Sequence, residues 1–313
     1  MLVDPDIFAE WLRRQGHAVI RTTSSYWVES GPRVYQAFPY HWLISPPDEE
    51  TTKLMLEQKA IALRYSTSLS ASTGCLSYHV VYDRENYSEK DLPKKARHDV
   101  KKGLSIAIVE PITFSRLATE GWNLRRETLV RQGRSGAETE SWWRGLCLSA
   151  ENLPGFEAWG AIVQGKLVAA LLAFSCDRDA YFSILYHQSL TEYLPFAVNN
   201  ALAYVVTAEV LSRPELKHIF YGLHSLDAPA SVDKFKFRMG YIARPVRQRV
   251  DFNPLIRPLV NKASYSILRV GHKALPGNSI LAKAEGMFNF YLQGRRPLAG
   301  QTKPEPLQDA IFS

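Results

Sequence analysis

Apolar residues recur at helical spacing at Phe8, Trp11 and Leu12, with Gly16 beyond them, so residues 6–15 are predicted to form a short amphipathic helix. Short apolar runs at 18–22, 26–28 and 34–37, separated by Ser, Gly and Pro, predict strands. The composition of 49–63 predicts a helix and that of 76–82 a strand. Asp91 as N-cap, Pro93 early and Gly103 beyond the end predict a helix over the basic run Lys94-Lys95-Ala96-Arg97 to Lys101-Lys102. A strand over 105–110 and helices over 114–131 and 138–149 follow.

The pattern is clearest from 156 to 250. Runs at 156–163 and 167–176 flank Gln164-Gly165, which reads as a tight hairpin turn. Residues 180–187 are a third strand. Residues 193–211 form an apolar helix, with Thr191 as cap and Pro195 in its first turn. Its apolar positions surround it, so it is expected between layers. A strand at 217–223, a helix at 228–239 closed by Gly240, and a strand at 241–250 complete the run. This order predicts an α/β (α+β) fold, a mixed central sheet flanked by helices. In such sheets ligands bind where neighbouring strands diverge, near strand C-termini and helix N-termini. Residues 255–294 then predict two helices rich in Lys, Arg and aromatics, separated by Pro276-Gly277, and the residues from 296 a loose tail. The expected domains are 1–90, 91–253 and 254–313.

Composition narrows this little. A chain of 313 residues has room for about two domains. No apolar run approaches the ~20 residues that span a bilayer. The first residues lack a basic stretch leading into an apolar one, so no signal peptide is expected and the expected location is cytoplasmic. Cys75, Cys147 and Cys176 lie far apart, the histidines are scattered, and no metal site is expected. A net charge of +7 favours anionic partners without choosing among nucleotide, nucleic acid and membrane.

One stretch changes the picture: Phe235-Lys236-Phe237-Arg238-Met239-Gly240-Tyr241 on the last helix. The strand and helix order around it resembles the core of the GNAT acyltransferases, in which a Tyr-x-Lys-x-Gly-Phe-like stretch lies on that helix. The tyrosine of that family commonly protonates the leaving thiolate of coenzyme A; Lys236 stands in its place here. The Phe-Lys pair before a Gly-aromatic resembles the FemAB/FemX-like subgroup, the Fem-type aminoacyltransferases that lengthen peptidoglycan cross-bridges or acylate other amines. The basic helix with Arg97 resembles an Arg-rich helix of that group. Asn199-Asn200 and Tyr221-Gly222-Leu223-His224 fit the same picture. The resemblance spans about residues 90–250. It implies a GNAT fold, with residues 1–90 as a degenerate second GNAT-like half. It also implies a transferase of cell-envelope biosynthesis, with acyl-CoA (acetyl-CoA) or aminoacyl-tRNA as donor.

The sequence departs from the family in one respect. Coenzyme A-dependent members cradle pyrophosphate in a Gly-rich loop at a helix N-terminus. Here that place reads Gln188-Ser189-Leu190-Thr191-Glu192-Tyr193-Leu194-Pro195, without glycine. Fem-type enzymes also lack the loop, but they often carry a helical hairpin for tRNA, and no long heptad hairpin is present.

The candidate catalytic residues are Lys236, to stabilise an oxyanion or hold the leaving group, and His187 and His224, strand-end imidazoles suited to deprotonate an amine. Glu192 and Asp227 are alternatives. Phe235, Asn199, Asn200, Tyr221 and Arg97 are candidate substrate-binding residues. A lone helical lysine is ordinarily a solvated charge, strand-end histidines and helix asparagines are ordinarily satisfied locally, and the Arg125-Arg126, Arg131 and Arg134 cluster reads as surface. The expected function is transfer of an acyl or aminoacyl group to an amine of a sugar, nucleotide sugar or peptide acceptor, by direct attack, with no Cys or Ser in a nucleophile motif. The alternative is a non-catalytic GNAT-fold protein that binds RNA or a phosphorylated ligand through its basic face. A further expectation is peripheral membrane contact through the C-terminal helices, residues 264–291, toward a lipid-linked sugar.

Overall fold

The computed structural model describes residues 3–134, 136, 138–176, 180–224, 230–275 and 278–310. In chain order the elements are α1 (Pro5–Arg14), β1 (Val19–Arg21), β2 (Tyr26–Gly31), β3 (Val34–Phe38), α2 (Asp48–Glu57), β4 (Ala62–Thr67), β5 (Cys75–Tyr82), α3 (Lys94–Leu104), β6 (Ile108–Pro111), α4 (Phe114–Arg131) and α5 (Glu140–Leu148). There follow β7 (Phe156–Val163), β8 (Lys166–Cys176), β9 (Tyr181–Ser189), α6 (Val198–Leu211), β10 (His218–Leu223), α7 (Ala230–Arg238), β11 (Ile242–Phe252), α8 (Lys262–Ala274) and α9 (Ser279–Gly294). Two compact units interleave along the chain. The first holds Met1–Gln15, Val80–Gly222 and Pro229–Ile242; the second holds Gly16–His79, Leu223–Ala228 and Ala243–Ser313.

In the first unit β6, β7, β8 and β9 pair antiparallel in sequence order, and β10 joins β9 in parallel. The β7–β8 turn has Gln164 and Gly165 both at positive φ, the geometry of a tight hairpin turn. Helix α6 packs on β7, β8 and β9, and α3 packs on α6, so the apolar helix lies between sheet and helix as its composition predicts. Helix α4 packs on β8 and β9, with α5 against it. Helix α1 closes an aromatic cluster in which Phe8 and Trp11 meet Phe156 and Phe174.

Strand β9 carries the feature that shapes the site. Its partner register runs Leu172 with Tyr186, then Ala173 with Ile184, leaving Leu185 as an extra residue. Such a bulge bends its strand. The parallel ladder to β10 joins Tyr181–Ser183 to His218–Phe220, while β9 runs on to Ser189. The two strands thus part at their C-terminal ends.

In the second unit β1, β2 and β3 are antiparallel, β4 joins β3 in parallel, and β11 joins β4 antiparallel. Residues 49–63 do not form one helix. Lys59 takes a positive φ, and Ala62–Thr67 becomes β4, because two neighbouring strands offer it hydrogen-bond ladders that composition cannot register. Among the described residues, 296–310 are not a loose tail. The Gln301 amide accepts from the Leu76 N–H at 2.6 Å and donates to the Gly74 carbonyl at 3.1 Å, and Leu307 is buried.

Three local expectations change in the first unit. Asp91 does not cap α3; its carboxylate accepts from Ser88, and α3 starts after Pro93. Gly103 lies inside α3 rather than beyond it, because the helix presses on the start of α6 there. A Cβ on Gly103 would sit 2.6 Å from the Ala197 carbonyl oxygen and 2.8 Å from the Ala201 Cβ. The helix expected over 193–211 is broken. Thr191–Phe196 is a 3-10 turn holding Pro195, Ala197 is left-handed at φ 60°, and α6 begins at Val198. The Pro276-Gly277 break and Asp227 lie outside the described residues. Among those described, no helix is long and apolar enough to cross a membrane.

The α3–α6 contact yields a stability prediction. Gly103→Ala should destabilise the chain by about 1–3 kcal/mol, since a backbone oxygen cannot move aside cheaply. Urea unfolding at equilibrium measures this; an unchanged midpoint would contradict the close packing.

Candidate active site

The parting of β9 from β10 leaves His187 and Tyr221 on neighbouring strands, and α7 brings Phe235 and Lys236 to them. The His187 Nδ1 and Tyr221 hydroxyl share a short hydrogen bond. The Phe235 ring meets the imidazole edge to face at 5.8 Å. The Lys236 Nζ lies 5.1 Å from the centre of the Tyr221 ring, a cation–π arrangement, and donates to Asp233 one turn earlier at 2.9 Å. Lysine and aspartate side chains are only 12% and 15% exposed. An ammonium has three donors. Among the described residues Asp233 takes one, which leaves the others for a ligand. Gly222, at φ 128°, passes so close that a Cβ there would sit 3.7 Å from Nζ.

The Gly-aromatic end of the stretch anchors the helix that carries Lys236. Gly240 at φ 87° ends the helix in the left-handed conformation that glycine takes without strain. The Tyr87 hydroxyl donates to the Met239 carbonyl at 2.9 Å, and buried Tyr241 shares a 2.7 Å hydrogen bond with Thr207 of α6. The spacing of lysine to Gly240-Tyr241 is therefore set by how α7 is docked.

Asn199 and Asn200 stand in the first turn of α6, not in its interior. The Asn199 amide donates to the Ser189 hydroxyl at 3.0 Å, and Asn200 reaches the Met239 sulfur at 3.3 Å. Asn199 lies against His187, yet neither its Oδ1 nor the His187 Nε2 completes a hydrogen bond of normal geometry. Both atoms are buried, and the Asn199 side chain is the group that acts on the imidazole there.

Burial lowers the His187 pKa to about 4; the Lys236 and Arg131 cations lower it too, and Asn199 opposes them. The imidazole is neutral at pH 7. Burial raises the Tyr221 pKa well above its ordinary value, with Tyr241 and Tyr87 adding to the shift.

Arg131, read as surface from the sequence, belongs to this region. It donates to the Ser189 carbonyl at 3.0 Å, the Ser189 hydroxyl at 3.2 Å and the Thr191 hydroxyl at 2.7 Å. Glu127, one turn earlier, accepts the Thr191 N–H at 2.6 Å. That carboxylate occupies a backbone donor which a phosphate at this helix entrance would need. Gln188 is also new: its side chain is buried, with neither amide atom hydrogen-bonded. Arg131 could have been flagged by its place at the C-terminal end of α4; nothing in the sequence marks Gln188 as unpartnered.

The other candidates lie elsewhere. His224 belongs to the second unit, where its ring stacks on Tyr78 at 4.4 Å and Nδ1 meets the Ser77 hydroxyl at 3.2 Å. Arg97 is half-buried on α3, with no side-chain hydrogen bond or ion pair among the described residues. Glu192 pairs with Lys166 at 2.7 Å on the surface.

No protein-family model matches the chain, and no curated protein matches it by sequence. Solved structures do. FemX matches with a TM-score of 0.53 at 10% identity, over 80% of this chain and 92% of that one. L-PGS from Bacillus licheniformis matches with a TM-score of 0.51 at 14% identity, over 82% and 94%. The C-terminal domain of a lysylphosphatidylglycerol synthetase from Agrobacterium fabrum gives 0.51 at 12% identity, over 78% and 87%. At these identities the likeness is one of fold: the chain shares the fold of FemX and of the two synthetase structures.

The low pKa of His187 makes stability pH-dependent. Its folded value of about 4 lies below the unfolded value near 6.5, so the unfolded chain binds more protons between them. Stability is unaffected above pH 6.5 and falls as pH drops toward 4, by up to about 3 kcal/mol. His79 in the second unit, lowered to about 3, acts in the same direction. Denaturant unfolding of the wild type and His187→Gln isolates the first effect: the variant should lose less stability from pH 6.5 to 4.5. Parallel curves would contradict the burial.

Proposed function

We propose that the protein transfers an acyl or aminoacyl group from an ester or thioester donor to an amine, and that the first unit carries the reaction. The supporting observation is the half-buried Lys236–Asp233 pair beside a neutral His187, where β9 and β10 part. The likeness to FemX and to the L-PGS structures supports the fold on which this reading rests.

In this reading the donor carbonyl lies near the Lys236 ammonium. With the imidazole proton on Nδ1, donated to the Tyr221 oxygen, the Nε2 lone pair is open. The acceptor amine gives one N–H to Nε2 and another to the Asn199 Oδ1, which directs its lone pair at the carbonyl carbon. The new C–N bond forms, and the oxyanion is held by Lys236. Its collapse breaks the carbonyl bond to the leaving oxygen or sulfur. The amine releases a proton and the leaving group takes one up, so the exchange is neutral overall. A preorganised donor at a developing oxyanion contributes roughly 3–4 kcal/mol.

The entrance to α6 favours an ester donor over coenzyme A. Where a Gly-rich loop would present free N–H groups, this chain has a 3-10 turn with Pro195, and Glu127 holds the Thr191 N–H. A carboxylate there repels pyrophosphate. An aminoacyl ester such as aminoacyl-tRNA is therefore the donor class we favour, with acetyl-CoA the other arm of the test. The acceptor we propose is an amine of a sugar, nucleotide sugar or peptide.

Thermal unfolding with acetyl-CoA, coenzyme A, and charged and uncharged tRNA identifies the donor. A ligand at ~100 times its dissociation constant adds ~2.7 kcal/mol. A shift with charged tRNA and none with acetyl-CoA is expected. The reverse would overturn the ester donor, and no shift with any would favour a non-catalytic GNAT-fold protein. With the donor in hand, Lys236→Ala should lower turnover at least about 100-fold and keep a cooperative unfolding transition. Turnover at the wild-type rate would remove Lys236 from the mechanism.

A further inference from the structure

The second unit contains a cavity of about 430 Å³ beneath α9, within the size range of ligand pockets. Pro32, Val34, Ile61, Phe252, Met287 and Phe288 make its wall apolar. Helix α9 presents Ile280, Lys283, Ala284, Met287 and Phe288 to it, spacing that places them on one face. Met287 and Phe288 pack into the core on one side of the cavity, and Ile280 and Lys283 carry the same face out to the surface. Lys283 stands exposed at the rim and pairs with no carboxylate among the described residues, and Arg64 and Gln36 add polar groups to the lining.

The helix before it has no buried residue. Ala263, Ile267, Val270 and Ala274 form an exposed apolar stripe along α8, and Lys262, Arg269 and Lys273 run beside it. Ile267 is 72% exposed and Val270 67%. Leu255, Leu259, Leu275 and Ile280 extend the exposed apolar surface on either side. From 254 to 304 the chain has eight Lys and Arg against one acidic residue, Glu285, and that one pairs with His272 across α8 and α9. A solvated helix would not hold this many large aliphatic side chains in water, and contact with RNA phosphates would not need them. An apolar stripe edged by cations matches the interface of an anionic bilayer.

We propose that the second unit binds one acyl chain of an anionic membrane lipid in the cavity under α9, while α8 lies on the bilayer surface. Lys283 at the rim faces the headgroup phosphate, and Ile280, which is both exposed and part of the lining, is where the chain enters. This lipid site is independent of the transfer reaction proposed for the first unit.

The full-length chain is mixed with phosphatidylcholine vesicles with or without phosphatidylglycerol and floated on a density gradient. Protein separated from the vesicles is then weighed by native mass spectrometry. The wild type should float with anionic vesicles, weakly or not at all with neutral ones, and keep one lipid per chain. Ile267→Asp with Val270→Asp should cut vesicle binding by about tenfold or more without moving the thermal midpoint, because both side chains are already in water. Ala284→Trp, or the milder Ala284→Leu, should fill the cavity and abolish the retained lipid while flotation persists. The proposal is overturned if the wild type does not float, if the Asp pair floats as well as the wild type, or if a folded Ala284 variant keeps its lipid. Oleate retained without vesicle binding would assign the cavity to a free fatty acid and end the membrane source. Salt-sensitive binding to tRNA with none to vesicles would assign α8 to nucleic acid instead.

Discussion

The candidate site depends on one constraint, the loss of the parallel ladder between β9 and β10 after Ser183 and Phe220. A continuous ladder would pair both strands to their ends and leave no space between them. The extra residue at Leu185 bends β9 while its other edge stays joined to β8 as far as Ser189. The side chains beyond the bend, His187 and Tyr221, are held by rigid strands on either side of the opening. Rigidity of this kind keeps reacting groups in position without a cost at the moment of reaction.

The same opening governs the electrostatics. Few waters reach the groups there, so each charge needs a partner or gives way. Lys236 pairs with Asp233 and lies over the face of Tyr221, while burial leaves His187 neutral. A cation and a neutral imidazole side by side form a pair suited to different tasks, one for an oxyanion and one for an amine. Arg131, although drawn into the region, spends its donors on Ser189, Thr191 and Thr128, which ties α4 to the end of β9.

The motif with which the last helix ends has a structural reason as well as a chemical one. Gly240 terminates α7, Met239 receives Tyr87 and Asn200, and Tyr241 is fastened to α6 through Thr207. Fixing that end fixes the azimuth of Lys236 one turn back. A change at Gly240 or Tyr241 would therefore act on the lysine through its orientation, at a distance from any substrate.

The order of strands and helices from 156 to 250, the hairpin at Gln164-Gly165, the buried character of α6 and the place of Lys236 were legible in the chain, because each rests on local periodicity or on a residue's own conformational preference. Other features were not. Ala62 and Leu63 looked like the end of a helix until two strands flanked them, and Gly103 looked like a helix stop until α6 pressed on it. The 296–310 stretch looked loose until Gln301 found Gly74 and Leu76. His187 and His224 were alike as strand-end imidazoles, and tertiary structure put them in different units. Arg131 resembled any surface arginine, and Gln188 resembled any strand amide. Sequence determines what a segment can do with its neighbours in the chain; which groups lose water, meet a charge or go without a partner is decided only by residues brought together from far apart along it.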